Sequence, residues 1–201
     1  MAHVLCYLFA LVLNVGWLLL GDHIHLTRQM AIPLITVAVA GLGVWLRTAS
    51  MAPGEGRRYR QRAMWALLLY YLAILSVLLF FGGLFHIDRG WGGTVNLKPL
   101  HTIRSYLIYY ERTGSWVSIA NLLGNVVITI PLGMLLPMMF PRLRRFWLTL
   151  PLCALFAVGV EYIQWRTATG AADVDDSILN FAGAFLGYLA VRTVQILCRR
   201  R

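Results

Sequence analysis

Charge is what this chain has least of, and negative charge is the scarcer kind: 13% of the 201 residues are charged, with 8 Asp and Glu against 18 Lys and Arg. Soluble domains average roughly 25% charged residues. That deficit, with 59% hydrophobic residues and a mean hydropathy of +0.69, excludes a water-borne globule and indicates an integral membrane protein. Cysteine is scarce too. Cys6, Cys153 and Cys198 lie in or beside apolar runs at no spacing that suits a disulfide framework or a zinc site, and they read as small packing residues. A P-loop, a His-Glu-x-x-His motif and a spacing-linked Ser-His-Asp set are all missing, so no metal and no cofactor are expected. The net charge of +10 comes with no fold signature of a nucleic-acid reader, which removes nucleic acid as a partner. Long repeats and low-complexity tracts are absent as well. Met-Ala-His ahead of the first apolar run lacks the basic region of a cleaved signal, so a retained first helix is expected.

What is present is long apolar runs. A helix needs about 20 apolar residues to cross a bilayer, and six stretches meet or approach that length, roughly at 2–20, 30–46, 63–85, 117–140, 146–165 and 177–197. The expected fold is all-α, a polytopic transmembrane helical bundle of about six spans. Twelve of the Lys and Arg residues fall in alternate connections: five in 47–62, three in 141–145 and four from Arg192 to the carboxyl end. The other side carries six. Cytoplasmic loops hold the excess of basic residues, which predicts both termini in the cytoplasm. All seven tryptophans fall at span ends or in a loop, as interfacial rings do. We expect residues 1–62 to form two additional helices and a basic cytoplasmic loop, and residues 63–201 to form a four-helix membrane domain with an outer loop at 86–116. In that loop Leu100, Ile103, Leu107 and Tyr110 recur at helical spacing, predicting a short amphipathic helix on the outer surface or capping the bundle.

Four of the eight acidic residues lie between Glu161 and Asn180, among apolar runs. A carboxylate there is costly unless paired or solvated, which makes it a functional candidate. Asn121 and Asn125 are four residues apart on the fourth span, Glu161 and Gln164 three apart on the fifth, and Asp176 and Asn180 four apart on the sixth, so each pair shares a helix face. All lie towards the proposed outer side. The economical arrangement turns these faces together into a polar, water-accessible pocket lined by Asn121, Asn125, Glu161, Gln164, Asp173, Asp175, Asp176 and Asn180. The plainer alternatives are amides acting as interhelical glue, and aspartates capping the last helix or facing its dipole. Gly183 and Gly187 make a Gly-x-x-x-Gly spacing that permits close helix approach. Pro131 and Pro137 predict a kink in the fourth span.

Several blocks together resemble the VanZ-like membrane proteins: Asn96-Leu-Lys-Pro-Leu-His-Thr-Ile103, Asn121-Leu-Leu-Gly-Asn125, Ile130-Pro-Leu-Gly133 with Pro137, Glu161 with Gln164, and Asp173-Val-Asp-Asp176 with Asn180, Gly183 and Gly187. The resemblance runs from about 70 to 197 and adds Asn96, Pro99 and Thr102 of the outer loop to the candidate residues. Many members carry a basic residue near the position of Gly170, which this chain lacks. The resemblance implies a multi-pass protein of the bacterial inner, or cytoplasmic, membrane, in a family whose namesake lowers susceptibility to the glycopeptide teicoplanin. Three functions follow as expectations. The first is binding of an amphiphilic envelope ligand, a lipid-linked wall precursor or a lipoglycopeptide such as teicoplanin, with the lipid bilayer as the constant partner. The second is an intramembrane enzyme acting on a lipid phosphate or ester through Glu161 and the Asp173, Asp175 and Asp176 cluster. The third is a transporter or flippase. Sequence alone leaves catalysis open, and it fixes neither an oligomeric state nor a role in antibiotic resistance.

Overall fold

The computed structural model describes residues 2–20, 26–80, 95–167 and 170–199. The described chain is almost entirely helical: α1 (Ala2–Leu20), α2 (Leu26–Ala49), α3 (Pro53–Phe80), α4 (His101–Thr113), α5 (Trp116–Met139), α6 (Phe146–Arg166) and α7 (Val174–Arg199). Two two-residue strands, β1 (Val95–Asn96) and β2 (Ala172–Asp173), join in parallel, pairing Val95 with Ala172 and Asn96 with Asp173. The chain divides into two compact units, Met1–Leu75 and Ser76–Arg201.

In the first unit, α1 and α2 lie side by side, and Tyr side chains of α3 bond to α1. The Tyr7 and Tyr59 hydroxyls are 2.7 Å apart. Asn14 donates to the Ala10 carbonyl at 2.6 Å and to the Thr36 hydroxyl at 2.9 Å, while its own carbonyl accepts the Tyr70 hydroxyl. The basic stretch read from sequence as a connection at 47–62 is mostly helix, because α3 begins at Pro53. Proline suits the first helical position, Glu55 complements the amino-terminal dipole, and arginine is a good helix former.

In the second unit, the helix boundaries follow from composition and punctuation. Helix α5 ends where Pro141 opens a 3-10 turn, Pro141–Arg144. Pro141 has no N–H to offer the Pro137 carbonyl four residues back. That carbonyl is met instead by Arg144 Nε at 3.4 Å and Gln195 Nε2 at 3.5 Å. The turn is tied down further by the Tyr188 hydroxyl, which donates to the Arg144 carbonyl at 2.8 Å, and by the fully buried Thr149, which donates to the Leu143 carbonyl. Pro131 and Pro137 leave α5 one continuous helix, so the predicted kink does not interrupt it.

The core of this unit is a seam between α5 and α7. Gly133 lies against Ala184, Gly183 against Val126 and Gly187 against Ile130, so closely that a Cβ at each glycine would stand 1.8, 1.8 and 2.1 Å from a backbone carbonyl oxygen. Small residues bring backbones together where lipid supplies no hydrophobic drive for helix association. Helix α6 adds the buried stripe Thr149, Cys153, Ala157, Val160, Glu161 and Gln164, which recur on one helix face. Its opposite face exposes Leu155, Val158 and Tyr162. A helix that is apolar on its outward face as well suits lipid. Trp116–Met139, Phe146–Arg166 and Val174–Leu197 are long and apolar enough to cross a membrane, while Ala2–Val15 and Ile35–Ala49 are shorter apolar stretches. The expected end of the third span, beyond residue 80, lies outside the described residues, as does the outer loop up to residue 94.

Candidate functional site

The predicted amphipathic helix is α4, and its amino terminus is where the acidic residues converge. Leu100, in the N-cap position, adopts a left-handed conformation with φ 62° and offers no side-chain cap. Such a conformation costs a non-glycine residue roughly 1–2 kcal/mol. The first N–H groups of a helix have no partner within it. Here Asp175, from the first turn of α7, supplies the missing acceptor. Its Oδ1 accepts Leu100 N–H at 2.6 Å, and its Oδ2 accepts Thr102 N–H at 2.7 Å and Ile103 N–H at 3.1 Å. His101 N–H, the remaining one, reaches the Lys98 carbonyl at 3.3 Å. Asp175 is 0% exposed. It was expected to line a water-accessible pocket, but with both oxygens held by backbone donors it works as the cap of a helix other than its own. Gly114, in the left-handed conformation at φ 66°, closes the other end of α4.

Asp173 caps α7 itself: its Oδ1 accepts Asp175 N–H at 2.8 Å, two residues into the helix. Its Oδ2 accepts the Thr102 hydroxyl at 2.5 Å and Asn96 Nδ2 at 3.2 Å, and Asn96 Nδ2 also meets Thr102 Oγ1 at 3.0 Å. Asn96 Oδ1 accepts Lys98 N–H at 3.2 Å, shaping the exposed turn that carries Pro99 towards α4. The backbone N–H of Asp173 donates to Glu161 Oε2 at 3.0 Å, linking the end of α6 to the start of α7. Asp176 accepts Asn125 Nδ2 at 2.5 Å, linking α7 to α5. Asp173 and Asp175 therefore tie α4 to the start of α7, Glu161 ties in α6 and Asp176 ties in α5, and the amino-terminal dipoles of α4 and α7 favour negative charge at the junction.

Of the remaining candidates, Asn180 is buried at 3% exposure, one turn along α7 from Asp176. Its backbone carbonyl accepts the Thr129 hydroxyl at 2.7 Å, whereas its side-chain Oδ1 has no hydrogen-bond partner among the described residues. Gln164 is buried beside Gly170, where a Cβ would meet Gln164 atoms at 3.5–3.7 Å. Gly170 is thus an inward position in this chain. Asn121 is half-buried, one turn before Asn125 on the same face of α5. The structure brings Glu161, Asp175, Asn96 and Thr102 together through Asp173 and joins Asn125 to α7 through Asp176. It gives Pro99 a place in the turn only. Thr129 shares the polar stripe of Asn121 and Asn125, and that periodicity is the signal for it. The backbone donors of Leu100 and Ile103 leave no sequence trace.

The carboxylates are poorly arranged for metal chemistry. Among the described residues no group of three or more His, Cys, Asp or Glu side chains is placed to hold a metal ion. Asp175 has turned both oxygens onto α4, and both Asp173 oxygens accept hydrogen bonds within the junction.

Protein VanZ of Enterococcus faecium is 34% identical over 105 residues, an overlap covering 46% of this chain and 61% of that protein. The chain thus spans less than two thirds of that relative. No solved structure matches. Residues 67–196 match the VanZ/LLP1 family, and this membrane protein belongs to it.

Proposed function

We propose that the second unit binds an amphiphilic envelope ligand, a lipid-linked wall precursor or a lipoglycopeptide of the teicoplanin type, at the polar junction of α5, α6 and α7. The observation that carries this reading is Asn180 Oδ1, buried yet without a hydrogen-bond partner among the described residues. Leaving a buried acceptor unmet costs about 1–3 kcal/mol, and a protein that keeps one a helical turn from the Asn125–Asp176 pair has a use for an incoming donor. Asn180, Asn121, Asn125 and Gln164 would meet the ligand's polar head, with Glu161 and Asp176 fixing the surrounding helices. The apolar outer faces of α6 and α7 would run beside its tail. The link to glycopeptide susceptibility enters through family resemblance.

In this reading the chain crosses the inner membrane of a bacterium six times, with both termini in the cytoplasm and the junction on the outer side. The enzymatic alternative needs carboxylate oxygens directed at a common point, and Asp173 and Asp175 direct theirs at backbone and side-chain donors instead. The transporter alternative drew on helix breakage at Pro131 and Pro137, which α5 does not display.

Titration of the purified full chain with teicoplanin and, separately, with a lipid-linked wall precursor tests the proposal. Saturable binding of one or both is expected, weakened about tenfold by Asn180→Ala in protein of unchanged thermal stability, a loss equivalent to about 1.4 kcal/mol. Binding of neither, or binding indifferent to that substitution, overturns it.

A further inference from the structure

The first unit holds a cavity that the junction of α5, α6 and α7 does not use. It measures about 510 Å³ and lies between α1, α2 and α3. Small-molecule sites run from roughly 300 to 1,000 Å³, with mostly apolar walls and a few polar groups. Four alanines, Ala10, Ala40, Ala63 and Ala66, make the room. Its polar groups are already engaged with one another, Tyr7 with Tyr59 and Asn14 with Thr36 and Tyr70. The walls therefore ask for an apolar occupant. From Tyr59 to Ile74 the lining follows α3 over 15 helical steps, about 22 Å at a rise of ~1.5 Å per residue. That exceeds the roughly 15 Å hydrocarbon depth of one leaflet, which is room for a fatty acyl chain.

Charge identifies the head that goes with such a tail. Tyr59 lies among Arg57, Arg58, Arg60 and Arg62 on α3, and Val44, another lining residue, is one turn from Arg47 on α2. All five arginines are exposed, and Glu55 is the only carboxylate between residues 47 and 62. Basic pockets between membrane helices hold anionic lipid headgroups, and each Lys or Arg near the surface contributes about 1 kcal/mol. Helical spacing puts Arg47 on the α2 face of Thr36, Ala40 and Val44, and sets Arg60 and Arg62 beside the α3 face of Tyr59, Ala63 and Ala66, so the same end of the unit offers cationic groups next to an apolar bore.

We propose that this cavity is a binding site for one anionic phospholipid, with an acyl chain between α1, α2 and α3 and its phosphate on the arginines around Tyr59. Native mass spectrometry of the full chain, titrated with dioleoyl phosphatidylglycerol or dioleoyl phosphatidylcholine, tests it. Phosphatidylglycerol is expected to form a one-to-one adduct at least about tenfold tighter than phosphatidylcholine. Ala40→Phe and Ala63→Phe, which fill the bore, should each weaken that adduct about tenfold or more. A triple Arg47→Gln, Arg60→Gln, Arg62→Gln variant, altered only at exposed positions, should bind the two lipids equally. Equal affinity of the unmodified chain for both lipids overturns the proposal, as does an unchanged adduct in folded Phe variants. Should the Phe variants aggregate, a triple variant that keeps the phosphatidylglycerol preference overturns it by itself.

Discussion

Replacing Asp175 with alanine should release α4 while leaving the helices beneath it folded. The carboxylate accepts three backbone N–H groups at 2.6, 2.7 and 3.1 Å. Hydrogen bonds to a charged group are worth about 1.5–3 kcal/mol each, and a charge at a helix amino terminus adds about 0.3–2 kcal/mol. These contributions are not additive, since one carboxylate serves all three donors. Leu100 is 60% exposed and water would take over part of its loss, so about 3 kcal/mol is a reasonable net figure. Local opening of α4 would then be roughly 10²-fold more frequent, at about 1.4 kcal/mol per tenfold. Hydrogen exchange read by mass spectrometry on the full chain in detergent resolves this, because local opening registers helix by helix. Protection should fall about a hundredfold across residues 104–110 and stay within about threefold in α5 and α7. Asp175→Asn should fall between, since the amide keeps an acceptor for Leu100 but turns an NH₂ towards Thr102 and Ile103. A drop of less than tenfold in α4, or an equal drop in every helix, would refute the capping account.

Other consequences can be checked in parallel. Gly183→Ala would place a Cβ 1.8 Å from the Val126 carbonyl oxygen, so the midpoint of thermal unfolding in detergent should fall by an amount reflecting at least about 1–3 kcal/mol of overpacking. Gly159→Ala, with nothing within 4 Å of the new Cβ, should be neutral or stabilise by up to about 1 kcal/mol through helix propensity. Thr102→Val removes the hydroxyl that donates to Asp173 and should cost about 1–3 kcal/mol, seen as faster exchange at the start of α4. Thr149→Val, at a fully buried site whose hydroxyl serves the Leu143 carbonyl, should lower the unfolding midpoint by a similar amount while α4 protection holds.

Much of the second unit was legible because membrane helices announce themselves by length and periodicity. The stretches expected at 117–140 and 146–165 became Trp116–Met139 and Phe146–Arg166, each within about a residue at either end. The Gly183 and Gly187 spacing indicated the close seam with α5, and the four-residue spacing of Asp176 and Asn180 put both on the face that meets α5. The weighing of Asp173 as a helix cap was also sound in kind. What composition and spacing did not reveal are links made through backbone groups of distant segments. The hold of Asp175 on α4 and the β1 to β2 ladder join residues about 70 or more positions apart, and a backbone N–H is the same in every residue but proline. The basic stretch from Pro53 hid its helicity for a different reason. Its arginines mark it as polar, and a polar helix shows no apolar stripe to read.

The central claim, that amides of α5 and α7 meet the head of an amphiphile, is tested most directly by crosslinking. A lipid-linked wall precursor carrying a photoreactive group on its headgroup would be activated in membranes containing the full chain, and the labelled peptides sequenced. Label is predicted on 121–129 and 176–183, reduced about tenfold by Asn180→Ala. Label spread instead over the exposed α6 face of Leu155, Val158 and Tyr162, and unaffected by that substitution, would contradict it.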